Sequence, residues 1–228
     1  MKVAIEKFDF ASDKILSSLS IQDQALFKSK AEELVFKKGK LIFYEGGIPT
    51  GVFLLQSGKA KIYKTGLEGK DQIFYIYKNG DLLGYHPLLC QERYVDACEA
   101  LEDCRLLFIH AANFDQLLLE IPILENLLIQ NMSHEFGVLV NTITVLAQKP
   151  LRERLALWLL ILHEKYDKER ILIGRNDLAN LIGTARESLG RLLKEFKADG
   201  LIEKEGRFLK CLDTTNLLKI ASSQYGTR

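Results

Sequence analysis

IGRNDLANLIGTARESLGRLLKEFKADGLIEKEGRFL, from Ile173 to Leu209, is the stretch on which the reading of this chain turns. It predicts two short helices, a tight turn and a small hairpin. Leu178, Leu181 and Ile182 give the first helix an apolar face, and Gly183 breaks it. Leu189, Leu192, Leu193 and Phe196 fall at i, i+3, i+4 and i+7, so they line one face of the second helix. The opposite face carries Arg186, Glu187, Ser188 and Arg191. A helix that packs by one side and presents Arg, Glu and Arg from its first turns on the other is built like a helix-turn-helix reader of the major groove.

The residue types suit that task. Arginine can pair bidentately with guanine O6 and N7, and glutamate can accept from cytosine N4. A carboxylate has no use on a surface that only binds phosphate. A plainer reading stands beside this one. Thr184 and Glu187 fit a T-x-x-E capping box, in which the glutamate folds back on the backbone and the arginines are ordinary solvated charges.

Outward from this stretch, the 228 residues allow one or two domains with ample core material. The longest apolar runs, such as LALWLLIL (155–162), are too short to span a bilayer, and the N-terminus has no signal-peptide pattern. The expectation is a cytoplasmic protein with no membrane partner. Cys90, Cys98, Cys104 and Cys211 form no CxxC pair, which favours buried or idle thiols over zinc or a disulfide framework. The net charge of +1 hides an asymmetry. From Gln148 onward there are 16 Lys and Arg against 11 Asp and Glu, whereas the preceding part has 15 against 19. A basic C-terminal part behind an acidic N-terminal part agrees with a nucleic-acid-binding domain attached to something else.

Residues to about 33 are helical by pattern, with Ile15, Leu16, Leu19, Leu26 and Phe27 as buried positions. From Lys37 short apolar stretches alternate with glycine turns, as in LIFYEGG, GVFLLQSGKAKIYK and DQIFYIYKNGDLLG, followed by VDACEA and CRLLFIH. That spacing predicts a β-barrel or jelly roll. Helix returns near Asn113, and a segment from Pro122 runs without a breaker to about Ala147. In it Met132, Phe136, Leu139, Ile143 and Leu146 are spaced 4, 3, 4, 3, the a/d seam of a two-helix interface, and the alternative is a helix wholly buried in its own domain. Val138, Val140 and Val145 lie off that seam. The expected domains are therefore 1–147, ending in a dimerisation helix at about 122–147, and 148–228, with the boundary at Gln148, Lys149 and Pro150.

Taken together, these segments resemble the cyclic-AMP receptor and fumarate–nitrate regulator (CRP/FNR) family of bacterial transcription factors over nearly the full length. IGRNDLANLIGTARESLGRLLKEFKADGLIEKEG is similar to its DNA-binding signature, and GKLIFYEGG and GVFLLQSGKAKIY are similar to its β-roll signature. The resemblance implies an α+β fold: an N-terminal β-roll (a double-stranded jelly-roll barrel), a long dimerisation helix and a C-terminal winged helix-turn-helix. It implies a homodimer on an inverted repeat in double-stranded DNA. Arg186, Glu187 and Arg191 fall at base-reading positions, and Arg175 and Ser188 at phosphate-contacting ones; Thr184, and Arg207 on a wing around Gly206, join the phosphate set. Ala185 stands where many members have serine. RNA polymerase is a further partner the family raises, although the loop its activators use is here only Glu164 to Arg170.

The ligand site departs from the family. Members that bind cyclic AMP carry Gly-Glu, a short helix, then Arg-Ser or Arg-Thr. Here Gly84 is kept and Tyr85 replaces the glutamate; Arg93 is kept and Tyr94 replaces the hydroxyl residue. The loop between is about two residues shorter, and Pro87 lacks a backbone N–H. Leu139 and Val140 replace the polar pair that meets the adenine. Each lost polar partner costs a buried polar ligand about 1–3 kcal/mol, so cyclic AMP is not expected to bind and no cofactor is expected. Haem sensors of the family have a histidine near His86, but the cysteine usual two residues earlier is Gly84 here. The expected function is a DNA-binding transcription regulator without enzymatic activity. Its rivals are a sensor responding to haem or another small ligand, and a winged-helix scaffold for protein contacts that binds no DNA.

Overall fold

The computed structural model describes residues 5–222. Residues 1–4 of the N-terminal stretch read as helical, and residues 223–228 of the C-terminal domain, lie outside the described residues. The chain divides into two compact units: residues 10–137, and residues 138–222 together with 5–9.

The first unit opens with α1 (Asp13–Ser17) and α2 (Ile21–Ser29), the latter capped by Ser20, which accepts from the Asp23 amide. Eight strands follow: β1 (Glu32–Phe36), β2 (Leu41–Phe43), β3 (Gly51–Ser57), β4 (Ala60–Thr65), β5 (Asp71–Tyr77), β6 (Leu82–Leu83), then, after the short helix α3 (His86–Cys90), β7 (Ala97–Ala100) and β8 (Cys104–His110). They form two antiparallel sheets in the orders β1-β8-β3-β6 and β2-β7-β4-β5. Phe43 of one sheet lies 6.2 Å from Phe53 of the other, so the sheets share an aromatic interior. The alternate residues of β3 face the other way. Val52 and Leu54 join Ile15, Leu16, Phe27, Phe114 and Leu117 in a second layer formed by α1, α2 and the helix α4 (Ala111–Glu120). Because β3 is covered on both faces, it reads as a continuous apolar run and not as an alternation. A side chain at Gly51 would sit 2.1 Å from the Ile109 carbonyl, which is why glycine starts that strand.

One sequence expectation fails here. Residues to about 33 read as helical, but Glu32–Phe36 is β1. Glutamate and leucine favour helix locally, and the antiparallel ladder with β8 overrides them: Glu33 pairs with Leu107 in register and holds Arg105 at 2.7 Å.

Pro122 starts α5, which runs unbroken to Gln148. The compact units divide inside this helix, after Gly137, whereas the sequence reading set its domain boundary at the helix end, 147/148. The reason is that α5 has no breaker, so its last turns continue into the second unit and pack there. The N-terminal residues join the second unit too. Phe8 meets Trp158 edge-on at 6.4 Å, and Asp9 accepts from buried Lys165 at 3.1 Å.

In that unit α6 (Leu151–Lys165) is apolar almost all round and forms the core. It is followed by β9 (Ile171–Leu172), α7 (Arg175–Ile182), α8 (Arg186–Ala198), β10 (Ile202–Glu205), β11 (Phe208–Cys211) and α9 (Thr214–Ser222). The strands make a three-stranded sheet in the order β10-β11-β9. Gly183 ends α7 with φ +66°, a left-handed conformation that lets the chain turn into α8.

Candidate functional site

The sharply two-sided sequence of α8 produces its placement. Leu189, Leu193 and Phe196 are buried, and Arg186, Glu187, Arg191, Lys194 and Lys197 are exposed. The exposed side lines a groove of about 610 Å³ with Arg175 from the start of α7 and Lys204 from β10. Gly190 and Leu193 form its floor. Six cationic side chains and one carboxylate converge on it. The side chains of Arg175, Arg186, Glu187, Lys194 and Lys197 make no hydrogen bond or ion pair with any described residue. Arg191 reaches only Ser188 Oγ, at 3.4 Å, and Lys204 donates to the Gly206 carbonyl at 2.8 Å.

The capping-box reading of Glu187 does not hold. The N-cap of α8 is Ala185, with no side-chain cap, and the Thr184 amide donates instead to the Ala179 carbonyl at 3.0 Å. The helix starts one residue later than the box requires, so Glu187 is left pointing outward.

The acids at the far end of α8, Glu195 and Asp199, are drawn to its back. Arg152 on α6 binds Glu195 and, at 3.1 Å, Asp199, while its guanidinium lies 5.0 Å from the Phe196 ring centre. Their neutralisation leaves the groove side strongly positive. Arg154 on α6 donates to the Leu146 carbonyl at the end of α5 at 2.8 Å and lies 3.5 Å from the Gly183 carbonyl. Arg207 sits exposed on the β10–β11 turn beside Gly206, whose φ is +57°. The loop from Glu164 to Arg170 is a tight turn, with Asp167 and Lys168 both at positive φ.

Sequence reasoning missed Lys194, Lys197 and Lys204. The first two continue the exposed stripe of α8 at i+3 and i+6 from Arg191, a signal that was available. Lys204 comes from a strand, and only the hairpin brings it to the helix.

Along α5, Phe136 is 70% exposed, Ile143 60%, Ile129 48% and Val140 45%. Met132, Leu139 and Leu146 are half-buried. Val138 and Val145 are buried, but Val140 joins the exposed stripe and not the covered side, because it lies one turn after Phe136.

In the β-roll, Gly84, Tyr85 and Tyr94 come together while Arg93 does not. Gly84 has φ +79°, and a side chain there would approach the Tyr94 hydroxyl at 3.3 Å. The Tyr94 ring stacks on Phe43 at 4.1 Å. Arg93 is exposed and donates to the Gly46 carbonyl at 2.8 Å. Tyr85 is buried and donates to Glu135 of α5 at 2.9 Å. Asn131 and Glu135 are the partners the sequence did not reveal. Burial, with repulsion from Asp81 and Asp96, outweighs the hydrogen bonds from Tyr85 and Asn131 and pushes Glu135 up to about 8. Burial first, with Glu45 opposing Lys64, pushes Asp96 up to about 7. Burial lowers His86, half-buried at the start of α3. Leu139 and Val140 lie on the part of α5 that belongs to the other unit. The four cysteines are free thiols, Cys90 exposed and the other three buried.

An antiparallel β-roll, a long helix and a winged helix-turn-helix with a basic reading face define a DNA-binding regulator. Comparison with known proteins agrees. Residues 33–120 match the cyclic nucleotide-binding domain, and residues 153–220 match the Crp-like helix-turn-helix domain. The chain is 28% identical over 212 residues to the transcriptional activator protein FnrA of Stutzerimonas stutzeri, covering 90% of this chain and 86% of that one. Among solved structures, FixK2 from Bradyrhizobium japonicum superposes with a TM-score of 0.75 at 19% identity, covering 85% of this chain and 98% of that one. A CRP/FNR-family transcriptional regulator from Thermus thermophilus gives 0.72 at 24% identity, covering 84% and 99%. The chain belongs to the CRP/FNR family of transcription regulators and is not an enzyme. Among the described residues no helix is long and apolar enough to cross a membrane.

Proposed function

We propose that this protein is a homodimeric regulator that reads an inverted repeat with α8 in the major groove and does not answer to cyclic AMP. The observation that carries the reading is the α8 groove, where six cations surround a single carboxylate and none of the seven forms an ion pair with a described residue. Arg186 and Arg191 would read guanine, and Glu187 would accept from cytosine N4. Arg175, Ser188, Thr184 and Arg207, joined by Lys194, Lys197 and Lys204, would hold phosphates and so set orientation and salt dependence. Two copies related by a two-fold axis through α5 would place their readers about one helical turn apart, roughly 34 Å.

Support for the ligand part comes from the β-roll. Tyr94 stacks on Phe43 in its interior, Tyr85 is buried in the layer between the roll and the helices, and Arg93 is turned to a backbone carbonyl at the surface. Asp81, Asp96 and Glu135 lie close enough to repel one another beside Tyr85, a poor setting for a cyclic phosphate. The reading involves no resident cofactor. A less polar ligand, or haem at His86, are the alternatives to be tested, and RNA polymerase contact through the tight Glu164–Arg170 turn is not part of it.

The deciding experiment is selection of bound sequences from a random DNA pool with purified protein. An inverted repeat with G·C pairs at the reading positions is expected, recovered without added nucleotide. Recovery of no sequence with wild-type protein, together with unchanged behaviour of Arg186→Ala and Arg191→Ala, would favour the protein-scaffold reading. Calorimetry should show no cyclic AMP binding at micromolar concentration. A Soret band lost in His86→Ala would bring the haem reading back.

A further inference from the structure

Three polar side chains fasten α5 to the corner where β6 runs into α3, and none of them belongs to the reading face. The Tyr85 hydroxyl donates to Glu135 Oε1 at 2.9 Å. Asn131 Nδ2 donates to the same oxygen at 2.8 Å and to the Tyr85 oxygen at 2.9 Å. Tyr85 is 1% exposed and Asn131 9%. Around Tyr85 the layer is apolar, with Leu82, Leu124 and Leu128 in the same cluster. Leucine or phenylalanine at these places would pack this layer without the cost of satisfying buried polar groups, so packing does not explain the set.

We propose that Tyr85, Asn131 and Glu135 form a clasp that holds the first half of α5 on the β-roll, and that the proton on Glu135 governs its hold. The clasp itself is independent of the function proposed above; its effect on DNA binding rests on that reading.

With the proton on, Glu135 Oε1 accepts both hydrogen bonds and no charge is buried. With the proton off, a negative charge faces Asp81, which precedes β6, and Asp96, which precedes β7. No free cation among the described residues offsets it. Lys78 is engaged with Asp81 and Asp13, at 3.3 Å each. Tyr77 of β5 and Tyr85 stay protonated because burial raises both. His86, next to Tyr85, is lowered by burial, and His134 on α5 is exposed. The closed clasp therefore keeps a proton up to about pH 8, whereas an exposed glutamate loses it near 4.5. Between those values closing takes up a proton. The hold is complete below the lower value and is lost as pH rises to the upper one. Beyond Glu135, α5 continues through Gly137, where a Cβ would meet nothing within 4 Å, into the exposed stripe at Val140 and Ile143. Loosening the clasp frees the helix on which the proposed dimer depends.

Hydrogen exchange of the full chain tests this at backbone amides 128–137, as the ratio of wild type to Glu135→Gln at each pH, so that intrinsic exchange rates cancel. Wild-type protection is expected to fall up to about tenfold per pH unit between pH 6 and 8 relative to Glu135→Gln, whose amide keeps the acceptor without the charge. Tyr85→Phe, which keeps the ring, should lose protection already at pH 6. Identical pH profiles for wild type and Glu135→Gln overturn the proton's role, and full protection in Tyr85→Phe overturns the clasp. Affinity for the selected operator, measured in parallel, should fall with pH in wild type only. If no operator is bound at any pH, the proposed function fails while the exchange data still decide the clasp.

Discussion

Glu187 shows how one position can carry two meanings until its helix start is located. With Ala185 as the N-cap, the carboxylate cannot close the box that Thr184 would need, and it faces the groove among cations. Glu187→Ala should relax the choice at one base pair, a loss of about 1–3 kcal/mol in discrimination, visible by repeating the selection with the variant. An unchanged preference would mean that the side chain only tunes the charge of the face. Arg175→Ala should weaken all sequences alike and flatten the salt dependence by about one unit of slope, read from binding titrations over a range of salt. Gly190 is a third case. It lies mid-helix in α8, where glycine costs about 1 kcal/mol relative to alanine, and a Cβ there would meet nothing within 4 Å. Internal packing gives no reason for glycine, whereas close approach of a partner to the groove floor does. Gly190→Ala should melt higher and bind DNA more weakly. Equal affinity would mean that the floor is never approached.

Among the elements, α5 draws its character from having two unlike sides. Val138, Thr142 and Val145 are covered, while Ile129, Phe136, Val140 and Ile143 stand exposed at spacings of 7, 4 and 3. An exposed apolar stripe at this spacing is the surface that the proposed dimer would cover. Glutamate at both Phe136 and Ile143 would set like charges across the two-fold axis and should yield monomers in sedimentation. Since both positions are exposed in the single chain, the monomer should keep its circular dichroism. A wild-type protein that sediments as a monomer at micromolar concentration would show the stripe to have another role.

For the molecule as a whole, charge is distributed by purpose. Arg152 gathers the acids behind α8, leaving cations in front, and the β-roll retains acids inside. Those inner acids set a dependence of stability on pH. Glu135 and Asp96 are both held above their ordinary values, to about 8 and about 7. Their contributions are full below about pH 4 and are lost as pH rises through those values, on the order of 1 kcal/mol per pH unit for each group within its window. Asp103 and Asp213 are lowered, by hydrogen bonds from Lys37 and Asn216 respectively, so below about pH 4 the trend reverses. The melting temperature should therefore be higher at pH 6 than at pH 8. In Glu135→Gln that difference should shrink. A melting point that rises from pH 6 to pH 8 would contradict the assignment of both groups.

Local order was legible in the residues. The two faces of α8 and the glycine-punctuated strands are patterns within a few turns, where side-chain spacing maps directly onto a face. The stripe of α5 was legible in part: Phe136 and Ile143 stand exposed, whereas Met132, Leu139 and Leu146 are half-buried and Val140, read as off the seam, joins the exposed side. The departures at Tyr85 and Tyr94 showed only against the family resemblance. Resemblance supplied the order in which those pieces assemble. Tertiary structure decided what depends on chain segments meeting. It turned Glu32–Phe36 into a strand, because a ladder with β8 outweighs helix propensity. It brought Lys204 to the α8 groove and released Glu187 into it. It joined Tyr85 to partners 46 and 50 residues away, and Asp9 to Lys165 across 156. Such pairs leave no periodic trace in the sequence, since the energy that selects them, burial with every polar group satisfied, exists only once the backbone has placed both ends together.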